Sequence, residues 1–264
     1  MALTTHWSRW SGALFAVTGV LGFSFKAILV KLGYLWDPSL DAVTLLTLRM
    51  IYSAPFFVAM AWWAGRGAAA IAPSDWRMLA VLGFIGYYLS SLLDFMGLQH
   101  ITAALERLTL YLYPTIVVLL SAWWHKKPIT RRTIAALLLS YCGIFLAFAH
   151  DLHFGGDTAA ITLGGALVFA SAILYAMYLV TAGPVIGRLG SMRFISWAML
   201  ASAAFIFAQF ALTRPWSALA VPPSIHLLSL TMAVFSTVLP TWLIAEAISR
   251  IGASQSSLVG SLGP

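Results

Sequence analysis

The chain has 264 residues, of which 61% are hydrophobic and 9% are charged, with a net charge of +7. A soluble domain has roughly 25% charged residues, so this composition excludes a soluble globular protein and indicates an integral membrane protein. The cations lie mostly between apolar runs, where orientation in the bilayer accounts for them, and we therefore do not expect nucleic-acid binding.

Apolar runs long enough to cross a bilayer follow one another along the chain. A membrane-spanning helix needs about 20 apolar residues. Such runs cover approximately residues 11–33, 43–64, 77–98, 101–124, 132–150, 159–182, 193–213 and 225–249. A ninth run begins at Gly252 and reaches Pro264 after 13 residues. The sequence therefore predicts an all-α, multi-pass transmembrane bundle with eight full spans and a partial ninth.

The positive charges predict the orientation of this bundle. With the N-terminus in the cytoplasm, ten Lys and Arg residues fall in cytoplasmic segments and two, Lys31 and Arg214, fall in outer segments. An excess of cations on the cytoplasmic side is the usual pattern of helical membrane proteins. We therefore expect a plasma (inner) membrane protein with a cytoplasmic N-terminus.

A weak internal repeat relates the two halves of the chain. Shifting ITAALERLTLYLYP, residues 101–114, by 150 residues places it on IGASQSSLVGSLGP, residues 251–264, with five identities in 14 positions. Because each copy has five spans, an odd number, the second copy would enter the membrane from the opposite side. Such inverted repeats are typical of secondary transporters, which bind their substrate where the halves meet.

Several segments resemble the EamA domain of the drug/metabolite transporter superfamily. They are GALFAVTGVLGFSFKAILVKLGY, LTLRMIYSAPFF and ITAALERLTLYLYPTIVVLLSAWWHKKPITRRTIAALLLSYCGIFL, and, in a second copy, GGALVFASAILYAMYLV and IAEAISRIGASQSSLVGSLGP. The resemblance implies two five-helix EamA repeats, residues 1–150 and 151–264, with ten spans and a substrate cavity between them. A complete pattern would continue to about residue 296. The second repeat is therefore expected to be truncated within its ninth helix.

Six ionisable side chains fall inside the predicted spans. They are Lys26, Arg49, Asp94, Glu106, Arg107 and Glu246. Because a charge within a span costs at least about 2.5 kcal/mol, each marks a candidate functional site. The first five lie in the outer half of the membrane and carry one excess positive charge, which an anionic or zwitterionic substrate would balance. Glu246 is instead expected to pair with Arg250, one helical turn later.

Each charged residue also has a structural interpretation. Arg49 and Arg107 could extend to the membrane surface, and Asp94 could end its span near the outer loop. Lys26 could be the cation of a buried pair with Asp94 or Glu106. We favour a site role for Lys26 because it lies deepest, with space beside it at two glycines, Gly19 and Gly22.

Glu106 and Arg107 are neighbours in the fourth run. Consecutive residues of a helix point about 100° apart, so we expect these two side chains to look toward different partners rather than to pair. Glu106 would then line the cavity on the same face as Tyr113.

The predicted substrate site combines cations, tyrosines and one acid. It consists of Lys26, Arg49, Tyr87, Tyr88, Glu106, Arg107, Tyr113 and Tyr175. The cations would attract a carboxylate or phosphate, and Glu106 would accept a coupling proton or an ammonium group. Asp94 is a second coupling candidate, and Pro114 and Pro240 are candidate helix breaks, since proline removes a backbone hydrogen bond.

These features together predict a secondary transporter, an exporter of small metabolites such as amino acids or organic anions, that works by alternating access. Its expected partners are the substrate and the lipid bilayer, with a homodimer left open. The chain has no glycine-rich phosphate loop, so ATP-driven transport is not expected. One alternative is a non-transporting or truncated membrane subunit that only packs with partners.

Enzymatic function and cofactor binding are not expected. The single Cys142 lies within an apolar run, and no Ser or Cys has an evident His base at membrane depth. His150 and His153 could offer two metal ligands, but they lie in an outer loop without further ligands nearby, so no metal is expected. An intramembrane enzyme is the second alternative.

Overall fold

A computed structural model of the protein describes residues 2–125 and 157–260, together with Leu138, Phe145 and Leu146 between them. No strand occurs in these described residues. Within them, seven helical segments are long and apolar enough to cross a membrane. The structure therefore confirms the predicted all-α, multi-pass membrane bundle.

Within each of the two described parts of the chain, the helices follow one another with short connections. In the first part of the chain they are α1 Ala2–Trp36, α2 Ala42–Gly65, α3 Pro73–Gly83, α4 Ser90–Leu98, α5 Ala103–Leu110 and α6 Tyr113–His125. In the second part they are α7 Thr158–Leu189, α8 Ser191–Thr213, α9 Pro223–Ala233 and α10 Leu239–Gly260. A π-helical segment, Phe84–Leu89, joins α3 to α4, and another, Val234–Val238, joins α9 to α10.

The predicted spans agree with these helices for most of the chain. The fifth predicted span, residues 132–150, falls outside the described residues except for the three named above. The eighth and the start of the ninth form one helical run that is kinked at Gly252, where φ is 79°. Glycine is favoured in this left-handed conformation because it has no side chain to clash.

Helix boundaries in the two parts of the chain recur with a constant spacing. α3 begins at Pro73 and α9 at Pro223, while the π-helical segments begin at Phe84 and Val234, so each pair is 150 residues apart. This is the spacing at which the residues themselves repeat. The division into two EamA repeats stays a prediction that this periodicity supports.

Close packing of α1 on α10 corrects one prediction about Lys26. A Cβ atom at Gly22 would lie 2.5 Å from Cγ of Pro240, and one at Gly19 would lie 3.0 Å from Cγ1 of Ile244. These glycines therefore do not open space beside Lys26. They let two helices approach closely, which is how small residues promote helix association in a membrane.

Asp41 lies just before α2 and connects it to the other part of the chain. Its carboxylate accepts hydrogen bonds from the backbone N–H groups of Val43 and Thr44, at 2.9 and 3.3 Å. The Arg214 Nε atom, at the end of α8, lies 3.0 Å from its Oδ2 atom. Burial alone would raise the pKa of Asp41, but the hydrogen bonds from Arg214 and Thr44 outweigh it and hold this pKa below its usual range.

This geometry predicts a pH-dependent stability difference for Asp41→Asn. Since the folded pKa is lowered, the stabilisation is present above the unfolded pKa of about 3.9 and is lost as the pH falls through the folded value. We expect a loss of about 0.5 to 1 kcal/mol at pH 7, because the Arg214 side chain is 36% exposed and solvent screens the ion pair. Thermal unfolding in detergent at decreasing pH measures the difference between the two proteins.

Asp41→Ala is the matched comparison, because it also removes the helix cap and should cost about 1 kcal/mol more. At low pH, where the Asn variant and the unchanged protein become equally stable, the Ala variant should still be less stable by this amount. An Asn variant that is equally destabilised at every pH would contradict the role of the ion pair.

Candidate functional site

A cavity lies at the centre of the helical bundle, with an empty volume of about 720 Å³ including its open side. The wall residues from the first part of the chain are Val20, Phe23, Lys26, Arg49, Gly86, Tyr87, Ser90, Ser91, Arg107, Leu110, Tyr111 and Tyr113. Those from the second part are Ser171, Tyr175, Met199, Thr237 and Thr241. Small-molecule sites often lie between the helices of a bundle, so this cavity is the candidate binding site of the protein.

Both π-helical segments contribute to this wall. Gly86 and Tyr87 come from the first and Thr237 comes from the second. Single π-helical turns within α-helices are frequent at functional sites. The cavity therefore lies where the two corresponding spans depart from regular helix geometry.

Two ion pairs are buried beside the cavity. The Lys26 Nζ atom lies 2.7 Å from Asp94 Oδ2, and the Arg107 Nε atom lies 3.0 Å from Glu106 Oε2. The two acidic residues are 1% and 0% exposed, and their carboxyl groups are close neighbours. Because both acidic residues are buried, the attraction within each pair is little screened by water.

Arg49 of α2 completes this charged cluster, and no acid among the described residues forms an ion pair with it. It is 4% exposed, and its guanidinium lies over the Phe95 ring, 5.0 Å from the centroid. Among the described residues, no carboxylate lies within ion-pair distance of Arg49, and its Nε atom has no hydrogen-bond partner. The side chain therefore points into the protein interior rather than toward the membrane surface.

The structure shows that the prediction for Glu106 and Arg107 was wrong. The two side chains do pair, because the long arginine stem folds back to the neighbouring carboxylate and burial strengthens the attraction between them. Their faces also differ from the prediction, since Arg107 lines the cavity and Glu106 lies behind it. Asp94 likewise does not end its span in the outer loop but pairs with Lys26.

The fourth span is broken where Pro114 was expected to bend it. α5 ends at Leu110, the chain turns at Tyr111 and Leu112, and α6 begins at Tyr113. Proline has no N–H group and cannot bond to the carbonyl four residues earlier, so the helix does not continue unbroken through this point. As a result, Leu110, Tyr111 and Tyr113 all face the cavity, although regular helical spacing would spread them over different sides.

The predicted tyrosines form much of the aromatic wall. Tyr175 packs edge to face against Tyr113, with ring centroids 5.2 Å apart. The Tyr87 hydroxyl lies 2.7 Å from that of Tyr178, and this hydrogen bond links α7 to the first π-helical segment. Aromatic residues from distant parts of the chain thus converge on one side of the cavity.

Tyr88 and Pro240, like Asp94, Glu106 and Pro114, are not wall residues of the cavity. Tyr88 packs instead against Phe84 and Phe205, with centroids 5.2 and 5.9 Å away, because it points to a different side from its neighbour Tyr87. Pro240 is the second residue of α10 and packs against Gly22 directly after the second π-helical segment.

Several wall residues were not predicted from the sequence. They are Val20, Phe23, Ser90, Ser91, Ser171, Met199, Thr237 and Thr241. The hydroxyl residues among them are hard to recognise, because Ser and Thr in apolar helices commonly bond to the carbonyl groups of their own helix. Thr241 does so with the Thr237 carbonyl at 2.6 Å. The one signal available was the spacing of four between these two threonines, which places them on one face.

Glu246 lies apart from the cavity, as expected. Its Oε2 atom is 3.2 Å from Nη2 of Arg250, which confirms the predicted pair, and its carboxylate also accepts a hydrogen bond from the Ser191 hydroxyl. His150 and His153, where no metal was expected, and Cys142 lie outside the described residues.

Comparison with known proteins agrees with this architecture. A protein named uncharacterized transporter YcbK, from Bacillus subtilis (strain 168), is 29% identical over 96% of this chain and 82% of its own length. Uncharacterized transporter YyaM from the same organism is 24% identical over 70% of this chain and 61% of its own length. A protein solved by crystallography shares the fold, with a TM-score of 0.68 and 20% identity over 97% of this chain and 84% of that one. The EamA-like transporter family matches residues 10–149, more than half of the chain, and this protein therefore belongs to that family.

Proposed function

We propose that this protein is a secondary transporter that exports small metabolites across the plasma membrane by alternating access. The observation that carries the proposal is the central cavity, which is bounded by helices from both parts of the chain and has two ion pairs and Arg49 buried beside it. A site located where two halves meet can be uncovered on either side as one half moves against the other.

Two inverted repeats are part of this proposal. The 150-residue recurrence of helix boundaries supports them, as does the packing of α1 on α10 and of α7 on α4. In the 150-residue repeat α1 corresponds to α7, and α4 corresponds to α10. Each of the two helix pairs is therefore the counterpart of the other, as an approximate two-fold relation requires. The excess of cations in the proposed cytoplasmic segments supports the orientation. Outward transport rests on the resemblance to the EamA domain alone.

In this proposal, the cations bind the substrate and one acid couples transport to protons. Lys26, Arg49 and Arg107 line the cavity and would attract the anionic group of a substrate. Glu106 would accept the coupling proton, since its carboxyl group lies next to that of Asp94 and like charges at short range in a dry site repel. Asp94 would stay paired with Lys26.

Glu106→Gln is expected to abolish the pH dependence of transport, because glutamine keeps the shape of the protonated acid but cannot release a proton. With one coupled proton, the rate of the unchanged protein should vary by up to roughly tenfold per pH unit. Purified protein in liposomes, screened with a panel of labelled metabolites under an imposed pH gradient, measures this directly.

The matched control is Glu246→Gln, which removes an acid that pairs with Arg250 away from the cavity. This variant should keep the pH dependence of the unchanged protein. If Glu106→Gln transports with the same pH profile as the unchanged protein, Glu106 does not couple transport to protons.

A further inference from the structure

We propose that the substrate of this cavity is an aromatic monocarboxylate without an ammonium group, and that Arg49 binds its carboxylate. This inference rests on the proposed function, because it takes the central cavity to be the transport site. It decides between the two substrate classes expected from the sequence, amino acids and organic anions.

The described wall of the cavity carries cations and no acid. Lys26, Arg49 and Arg107 line it, whereas Asp94 and Glu106 lie behind the wall, each in contact with a cation. The ammonium group of an amino acid would therefore lose its hydration, meet no carboxylate in this wall and be repelled by three cations.

Arg49 is the cation that is available to a ligand. It is 4% exposed and reaches the cavity, and among the described residues no carboxylate lies within ion-pair distance of it. Nε and Nη2 of Arg107, like Nε of Arg49, have no hydrogen-bond partner there, but Arg107 has the carboxylate of Glu106 beside it. A buried charge without a partner is strongly unfavourable. A carboxylate would satisfy it, because the planar guanidinium can donate two parallel hydrogen bonds to the two carboxylate oxygens.

The charge balance favours a single negative charge on the substrate in one protonation state of the cluster. The cluster contains three cations, Lys26, Arg49 and Arg107, and two acids, Asp94 and Glu106, which leaves one positive charge when Glu106 is ionised and two when it is protonated. A monocarboxylate balances the cluster in the state in which Glu106 has released its proton. In that state a dianionic phosphate ester would leave a net negative charge in a site withdrawn from water.

The remainder of the wall is suited to binding the aromatic ring of a substrate. Its aromatic residues are Phe23, Tyr87, Tyr111, Tyr113 and Tyr175. Tyr175 already packs edge to face on Tyr113 and stacks on Tyr178, with centroids 5.2 and 5.7 Å apart. An aromatic ring inserted here gains the same edge and face contacts, each worth more than the area it buries.

A matched series of ligands tests the proposal without requiring transport. The probes are 3-phenylpropanoate, L-phenylalanine, 2-phenylethylamine, 3-phenylpropyl phosphate and 3-cyclohexylpropanoate, each titrated by calorimetry into the purified full chain in detergent. We expect 3-phenylpropanoate to bind at least about tenfold more tightly than phenylalanine, which differs from it by the ammonium group alone. It should also bind more tightly than the other three probes.

Arg49→Gln should weaken binding of 3-phenylpropanoate at least about tenfold, whereas Arg214→Gln, which removes a surface arginine, should leave it unchanged. If the Arg49 variant does not fold, the order of the five ligands on the unchanged protein still decides. Phenylalanine binding as tightly as 3-phenylpropanoate, or no binding of any probe, overturns the proposal.

Transport assays separate this inference from the proposed function. Phenylpropanoate that binds through Arg49 but is not moved across liposomes supports the ligand class and refutes transport. Transport of phenylalanine without binding of 3-phenylpropanoate refutes the ligand class and supports the transporter.

Discussion

Lys26→Met is expected to lower the free energy of unfolding by roughly 3 to 5 kcal/mol, because it leaves a buried carboxylate without its cation. Asp94 is 1% exposed, and its Oδ2 atom lies 2.7 Å from Lys26 Nζ. Methionine fills a similar volume, so the loss comes from the charge rather than from a cavity. Denaturant unfolding in detergent micelles measures the change.

The double variant Lys26→Met and Asp94→Leu separates the loss of the pair from the loss of one partner. Replacing both charges with apolar groups should restore most of the stability, since neither charge is then left unpaired. Each single variant and the double variant together form a cycle that gives the coupling energy. A cost below about 1 kcal/mol for Lys26→Met would show that the pair behaves like a solvated surface pair.

Gly83→Ala is expected to destabilise the protein by about 1 to 3 kcal/mol through overpacking. Its Cβ atom would lie 2.4 Å from the carbonyl oxygen of Ala198 and 3.1 Å from Cβ of Ala201. A backbone oxygen cannot rotate away as a side chain can, so α3 and α8 must move apart. Since the π-helical segment with Tyr87 begins directly after Gly83, this shift would also displace the cavity wall. Thermal unfolding in detergent measures the loss.

Gly187→Ala is the matched control for this steric effect. Gly187 also lies within a helix, α7, but a Cβ atom there would have nothing within 4 Å. Alanine is the better helix former, so this variant should be neutral or more stable by up to about 1 kcal/mol. Equal destabilisation by both substitutions would mean that helix contact at Gly83 is not the cause.

The charged residues show how far the sequence could define the candidate site. Lys26, Asp94, Glu106 and Arg107 stand out in the sequence because charges are rare in apolar spans, and the structure brings all of them to one cluster. Helical spacing nevertheless led to the wrong face for Glu106. The turn before Pro114 ends the regular periodicity, and side-chain length allows a contact that backbone direction alone does not predict.

Gly22 likewise shows what the sequence predicts and what it leaves to the structure. Gly22 was noticeable beside Lys26, and an interpretation as open space was consistent with its small size. In the structure, Pro240 of a helix more than 200 residues away in the chain fills that space. A small residue indicates that another group packs closely against it. Which residue that group belongs to depends on which helices are neighbours in the fold.

The sequence alone determined the class of the protein, the approximate helices and the identity of the buried charges. It could do so because these properties depend on the length and composition of local segments and on the cost of a charge in the bilayer. Only the tertiary structure decided that Asp94 pairs with Lys26 and Glu106 with Arg107, and that hydroxyl groups complete the wall. It also decided that no acid in the described part of the chain pairs with Arg49. These outcomes depend on contacts between distant segments and on the reach of individual side chains, which no local pattern contains.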